Sequence, residues 1–76
     1  MALIHTLDWK EKDTHRIHDT VECTYSTFTQ AGVPILQIDT YGKSDRANPT
    51  SISQSLQLNR QSALQLQDLI QQTFGE

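Results

Sequence analysis

The strongest structural signal in this sequence lies in three stretches: ILQIDTY (residues 35–41), SISQSLQL (51–58) and RQSALQLQDLIQQTF (60–74). Apolar residues recur with a period of about two up to Leu58 and with a period of about 3.6 after Asn59. The first period is typical of a half-buried strand and the second of an amphipathic helix. We therefore predict a strand that leads directly into a helix at about residues 60–73.

The predicted helix has recognisable ends and one apolar face. Asn59 is a good N-cap because its side-chain oxygen can accept from a free N–H group of the first turn. Gly75 suits the C-terminal cap. The apolar stripe consists of Ala63, Leu66, Leu69, Ile70 and Phe74. Glutamines dominate the opposite face, so the stripe is predicted to pack on the sheet.

Earlier in the chain the pattern predicts three more strands. Residues 2–9 and 21–28 alternate or are rich in strand formers, and Ile35 to Tyr41 is the most apolar run. Gln30-Ala31-Gly32-Val33 predicts a short hairpin, since glycine takes positive φ at no steric cost. The fold prediction is α+β in a single domain, residues 1–76. It has four antiparallel strands in a meander, backed by one C-terminal helix in the order β-β-β-β-α.

The size of the chain bears on its assembly. A core built from 76 residues supplies only a few kcal/mol, and such proteins usually need a disulfide, a metal or a partner. Cys23 is the only cysteine, so no intrachain disulfide can form. We expect Cys23 to pack as a small hydrophobe in a reducing compartment. We also predict a homodimer, with Leu64 and Leu69 on the helix flanks as contacts.

Charge and the first residues bear on location. A net charge of −3 neither indicates nor excludes nucleic-acid binding, because a local patch matters more than the sum. The opening MALI (residues 1–4) is short, and no basic region precedes it. We expect no signal peptide and no membrane span, and hence a cytoplasmic protein.

Metal binding and catalysis both have weak signals. His15, His18 and Cys23, with His5 nearby, are zinc-ligand types, but their spacing matches no zinc template. The favoured interpretation is that the two histidines lie in a loop and that the cysteine packs in the core. A catalytic thiolate needs a general base within reach, and a chain this small leaves little volume for a substrate pocket. We expect no cofactor and no enzymatic activity.

A polar group around the fourth strand is the best functional candidate. It combines cations, hydroxyl donors and aromatic surface, which single-stranded nucleic acid binding requires. The candidate residues are Lys43, Arg46, Arg60, Ser51, Ser53, Ser55 and Tyr41. Phe28 adds aromatic surface. The competing interpretation is a solvated sheet face beside ordinary charged loop residues.

From about Thr20 to Phe74 the pattern resembles the positive-cofactor-four family of transcriptional coactivators, whose core domain binds single-stranded DNA. The resemblance rests on a strand and the hairpin 30–33, the strand 36–41, a polar segment with Pro49, the strand 52–56 and a helix. It implies a curved four-stranded sheet backed by a helix, a homodimer and a nucleic-acid surface on the strands. The chain is also similar to short bacterial proteins that give no activity to carry over.

One departure from the family affects function more than fold. Family members tend to carry basic residues just before the fourth strand, whereas residues 47–51 here are ANPTS, with only Lys43 and Arg46 nearby. Three classes of function are left: a nucleic-acid-binding module, an acidic module that binds a protein partner, and a small hydrolase or metal protein. The resemblance favours the first and the acidic balance the second. Nothing in the sequence favours the third.

Overall fold

The computed structural model describes residues 1–42 and 51–75. Four strands and one helix follow in chain order: β1 (Ala2–Ile4), β2 (Cys23–Gln30), β3 (Val33–Tyr41), β4 (Ile52–Leu58) and α1 (Arg60–Phe74). The α+β class, the four-stranded sheet and the single C-terminal helix are therefore confirmed. The helix bounds agree with the prediction to within one residue.

The order of the strands differs from the predicted meander. The sheet runs β1-β4-β3-β2, and β1 pairs with β4 in parallel through Leu56 to Leu58. The pairs β2/β3 and β3/β4 are antiparallel. The prediction of a purely antiparallel meander was wrong, because it treated β1 as the neighbour of β2. Residues 5–22 separate these two strands, and a connection this long can carry the chain across the sheet, as parallel pairing requires.

A two-residue turn joins β2 to β3. Gln30 pairs with Val33, and the two residues between them have positive φ: 53° at Ala31 and 78° at Gly32. Positive φ at both positions defines a type I′ turn, whose twist matches the twist of the flanking strands. The predicted hairpin is confirmed, although alanine is an unusual residue in such a turn.

The helix begins and ends where its caps predict. Asn59 Oδ1 accepts from the Ser62 backbone N–H at 3.0 Å, and Ser62 Oγ accepts from the Asn59 N–H at 3.1 Å. This reciprocal capping box satisfies two backbone donors, and Ser62 is fully buried. At the other end Gly75 has φ of 76° and donates its N–H to the Gln71 carbonyl at 2.9 Å.

The core on the helix side of the sheet is thin. Leu58, at 3% exposure, is the one buried hydrophobic residue in the part of the chain that the structure describes. A hollow of about 290 Å³ separates helix from sheet, lined among others by Leu36, Leu58, Leu66 and Ile70. Cys23 lies on the edge strand β2 and is exposed, not packed as the sequence predicted. The predicted apolar stripe of the helix is only partly covered within one chain.

The N-terminal segment after β1 is attached to the helix. The side-chain amide of Gln65 bonds the backbone of Leu7 twice: Oε1 accepts from its N–H at 3.0 Å, and Nε2 donates to its carbonyl. Within residues 1–42 and 51–75, no helix has the length and apolarity of a membrane span.

Candidate nucleic-acid interface

The sheet face opposite the helix, here called the outer face, is mostly polar. Side chains alternate along a strand, so those that do not share the face of Leu36 and Leu58 point to the outer face. The register of neighbouring strands then places these side chains in rows across it. The central members of the rows are Leu3, Gln57, Ser55, Gln37, Asp39, Ser26 and Thr24.

Four of these side chains form one hydrogen-bonded network, here called the polar row. Ser55 Oγ donates to Asp39 Oδ1 at 2.5 Å. Gln37 Nε2 donates to both oxygens of Asp39, at 2.9 and 3.2 Å. Gln57 Nε2 in turn donates to Gln37 Oε1 at 2.9 Å. Asp39 and Ser55 are buried and the two glutamines are half-buried, so little of the row is exposed to solvent.

Aromatic side chains lie toward the edges of the outer face. Tyr41 and Thr24 share a hydrogen bond of 2.9 Å between their hydroxyl groups. The register between β3 and β4 shifts at this point, so that Tyr41 pairs with Ile52 and Ser53 is the extra residue of a β-bulge. Phe28, at 38% exposure, stands opposite Ile35 near the hairpin. Each ring has a face on which a base could stack.

The three predicted serines occupy different environments. Ser51 precedes β4 and is exposed, and Ser53 at the bulge is exposed as well. Ser55 is buried, and its hydroxyl hydrogen is used by Asp39. Ser51 and Ser53 are thus the predicted hydroxyl groups that a phosphate could reach.

Of the three predicted cations, Arg60 is the one that lies among the described residues. Lys43 and Arg46 lie outside the described residues, in the segment of the chain between Tyr41 and Ile52. Arg60 is exposed and lies beyond the opposite end of β4, at the helix start. The seven residues of β4 span roughly 20 Å, so the structure places Arg60 about one strand length from Tyr41. Arg60 also lines a cavity with Pro34 and Leu36 on the helix side.

The structure assembles no metal site in the part of the chain it describes. There no three His, Cys, Asp or Glu side chains lie close enough together to hold a metal ion. His15, His18 and Cys23 are each exposed. The geometry therefore does not bring together the histidines and the cysteine considered from the sequence.

The polar row was not identified from the sequence. Alternation puts Gln37 and Asp39 on one face of β3 and Ser55 and Gln57 on one face of β4, but it does not pair the two strands with each other. Strand alternation gives the facing of each residue, whereas the contacts between them depend on the register of β3 against β4. Once β3 and β4 are paired, Asp39 lies opposite Ser55 and Gln37 lies opposite Gln57. This arrangement of cross-strand polar pairs is the signal that the sequence contains.

Comparison with known proteins adds no relative: no family model, no curated protein and no solved structure matches the chain.

Proposed function

We propose that this chain is a small, non-enzymatic module that binds single-stranded nucleic acid, most simply DNA, on the outer face of its sheet. It would serve transcription or DNA metabolism as an accessory protein. The observation that carries the proposal is the hydrogen-bonded polar row, flanked by Phe28 and Tyr41, on the face that the helix leaves open. Oriented hydrogen-bonding groups beside aromatic rings suit unstacked bases. The resemblance to the positive-cofactor-four family supports the same function.

Asp39 determines how a strand would lie on this face. Its carboxylate stands in the middle of the outer face, where a phosphate would be repelled. The bases therefore lie over the centre, and the sugar–phosphate backbone follows the rim past Ser51 and Ser53. The cations nearest in sequence to that rim are Lys43 and Arg46. Arg60, at the far end of β4, contacts phosphate only if the strand crosses the whole sheet.

Salt dependence tests this arrangement. Each phosphate neutralised on a single strand contributes a slope of about −0.7 to log K against log salt. Two cations per protomer then give a slope of about −1.4, or a roughly sevenfold loss of affinity between about 50 and 200 mM salt. Replacing Lys43 and Arg46 together by alanine should remove this dependence and weaken all sequences alike. Fluorescence anisotropy with labelled oligo-dT measures both effects.

The matched control is Arg60→Ala, which removes one positive charge at the other end of β4. We expect it to leave the salt slope nearly unchanged. A double variant that keeps the wild-type slope would move the phosphate site to Lys10, Lys12 and Arg16. No binding of either oligo-dT or oligo-dC at tens of micromolar protein in low salt would refute the nucleic-acid function.

A second candidate is an acidic module that binds a protein partner and no nucleic acid. The observation in its favour is the Asp39 carboxylate at the centre of the outer face, in a chain of net charge −3. A basic peptide would be attracted where a phosphate is repelled. Loss of the nucleic-acid function in the anisotropy experiment would make this the leading reading.

The module is proposed to act as a homodimer joined through the helix side of the sheet. One buried hydrophobic residue in the described chain is too small a core for an isolated domain, and no disulfide supplements it. The hollow between α1 and the sheet is apolar, and Leu64 and Ile70 beside it are 53% and 49% exposed. A second copy that inserts its own helix side chains would fill it. Leu64 and Leu69 are still the predicted contacts on the helix flanks.

A further inference from the structure

Every hydrogen bond of the polar row has its donor on the side away from Asp39, because the Asp39 carboxylate is the acceptor at the end of the chain of bonds. The Asp39 carboxylate only accepts, so Gln37 must turn its Nε2 toward it. Gln37 Oε1 then faces Gln57 and accepts from Gln57 Nε2. Gln57 keeps its carbonyl oxygen Oε1 and the second hydrogen of its Nε2 to offer to a ligand. The charge on Asp39 thus fixes the polarity of a group two side chains away.

A pocket of about 310 Å³ lies at that end of the row. It is lined by Met1, Ala2, Leu3, Gln37, Ser55 and Gln57. The first three line its N-terminal side, and the last three supply polar atoms from β3 and β4. The volume is at the lower limit of small-molecule sites, so it suits one planar ring and not a larger ligand.

We propose that this pocket holds one base of the bound strand and selects cytosine or adenine over uracil or thymine. The inference rests on the proposed function and names the ligand chemistry of the same face. Cytosine and adenine present an amino donor to Gln57 Oε1 and, beside it, a ring nitrogen that accepts from the remaining Nε2–H. Uracil and thymine carry these groups in the reverse order, a carbonyl oxygen at C4 beside a protonated N3. In the same position they set acceptor against acceptor and donor against donor. Asp39 acts as a positioning residue, because it orients Gln57 through Gln37.

Oligo-dC and oligo-dU make a matched pair of probes, since cytosine and uracil differ in the amino or carbonyl group at C4 and in the protonation of N3. We expect wild-type protein to bind oligo-dC about tenfold more tightly than oligo-dU in fluorescence anisotropy at neutral pH and low salt. Gln57→Met removes the presented oxygen and leaves the Asp39–Ser55 bond in place. It should bring the two affinities to within about twofold.

Asp39→Asn tests the relay itself. An asparagine can donate as well as accept, so Gln37 and Gln57 are free to reverse, and the preference for oligo-dC should fall. Gln54→Ala is the control: Gln54 lies on the same strand but pairs with Thr40 on the other face, so the preference should persist. Circular dichroism confirms the fold of each variant. If Asp39→Asn does not fold, Gln57→Met alone tests the base preference.

The results separate the two proposals. Equal binding of oligo-dC and oligo-dU by wild-type protein would overturn base selection and leave the nucleic-acid function standing. A full preference retained in Gln57→Met would overturn it as well. Binding of neither probe would instead refute the proposed function, on which this inference depends.

Discussion

Ile70 offers a quantitative test of the homodimer. Full burial of an isoleucine side chain contributes about 1.5–3 kcal/mol, and Ile70 is 49% exposed in one chain. About half of that free energy, roughly 0.7–1.5 kcal/mol per protomer, is therefore left for the dimer contact. Two protomers lose about 1.5–3 kcal/mol in Ile70→Ala, which raises the dissociation constant about tenfold to a hundredfold. Sedimentation velocity over a range of protein concentrations measures this shift.

Val33→Ala is the matched control for Ile70→Ala. Val33 is 47% exposed, close to the value for Ile70, but it lies at the hairpin end of β3 and does not line the hollow. We expect its dimer dissociation constant to stay within about twofold of wild type. A wild-type protein that sediments as a monomer at high micromolar concentration, with its helix intact by circular dichroism, would contradict the reasoning. So would equal effects of the two substitutions.

Three further predictions concern local structure. Asn59→Ala removes the acceptor for the Ser62 N–H and should lower the free energy of unfolding by about 1 kcal/mol in urea denaturation. Gly32→Ala should cost about 1–2 kcal/mol in the same assay. A Cβ there meets nothing within 4 Å, so the cost arises from the positive φ alone, and an unchanged midpoint would contradict the type I′ turn. Gln65→Ala removes both hydrogen bonds to Leu7 and should speed hydrogen exchange of the Leu7 amide severalfold, while amides of β3 keep their protection.

The elements were predictable where local patterns determine them. The change of period at Asn59 and the capping residues at both ends predicted the helix, because caps and periodicity act within a few residues. The hairpin was predictable from Gly32 for the same reason. The place of β1 was not, since its pairing partner lies more than fifty residues away, as in Ala2 opposite Leu56, and no local signal marks a parallel edge.

The candidate site could be predicted only in outline. Alternation puts Ser55 on the outer face, but its bond to Asp39 depends on the register of β3 against β4. The separation of Arg60 from Tyr41 also depends on the strand direction. Ser51 and Arg60, grouped because both adjoin β4 in the sequence, thus lie at opposite ends of that strand.

The polar row constrains the fold as well as the proposed function. A sheet with one helix has one face that the chain itself does not cover, so apolar packing cannot hold the register there. A slip of one residue between β3 and β4 would turn Asp39 toward the helix side, where Leu58 is buried, and leave its charge without the Ser55 hydroxyl. The row therefore penalises wrong pairings of the two central strands. The same side chains supply register and base contacts, so a binding defect in an Asp39 variant can arise from a changed register or from a lost base contact. Gln57→Met spares the Asp39–Ser55 bond, so a binding defect in that variant reports the base contact alone.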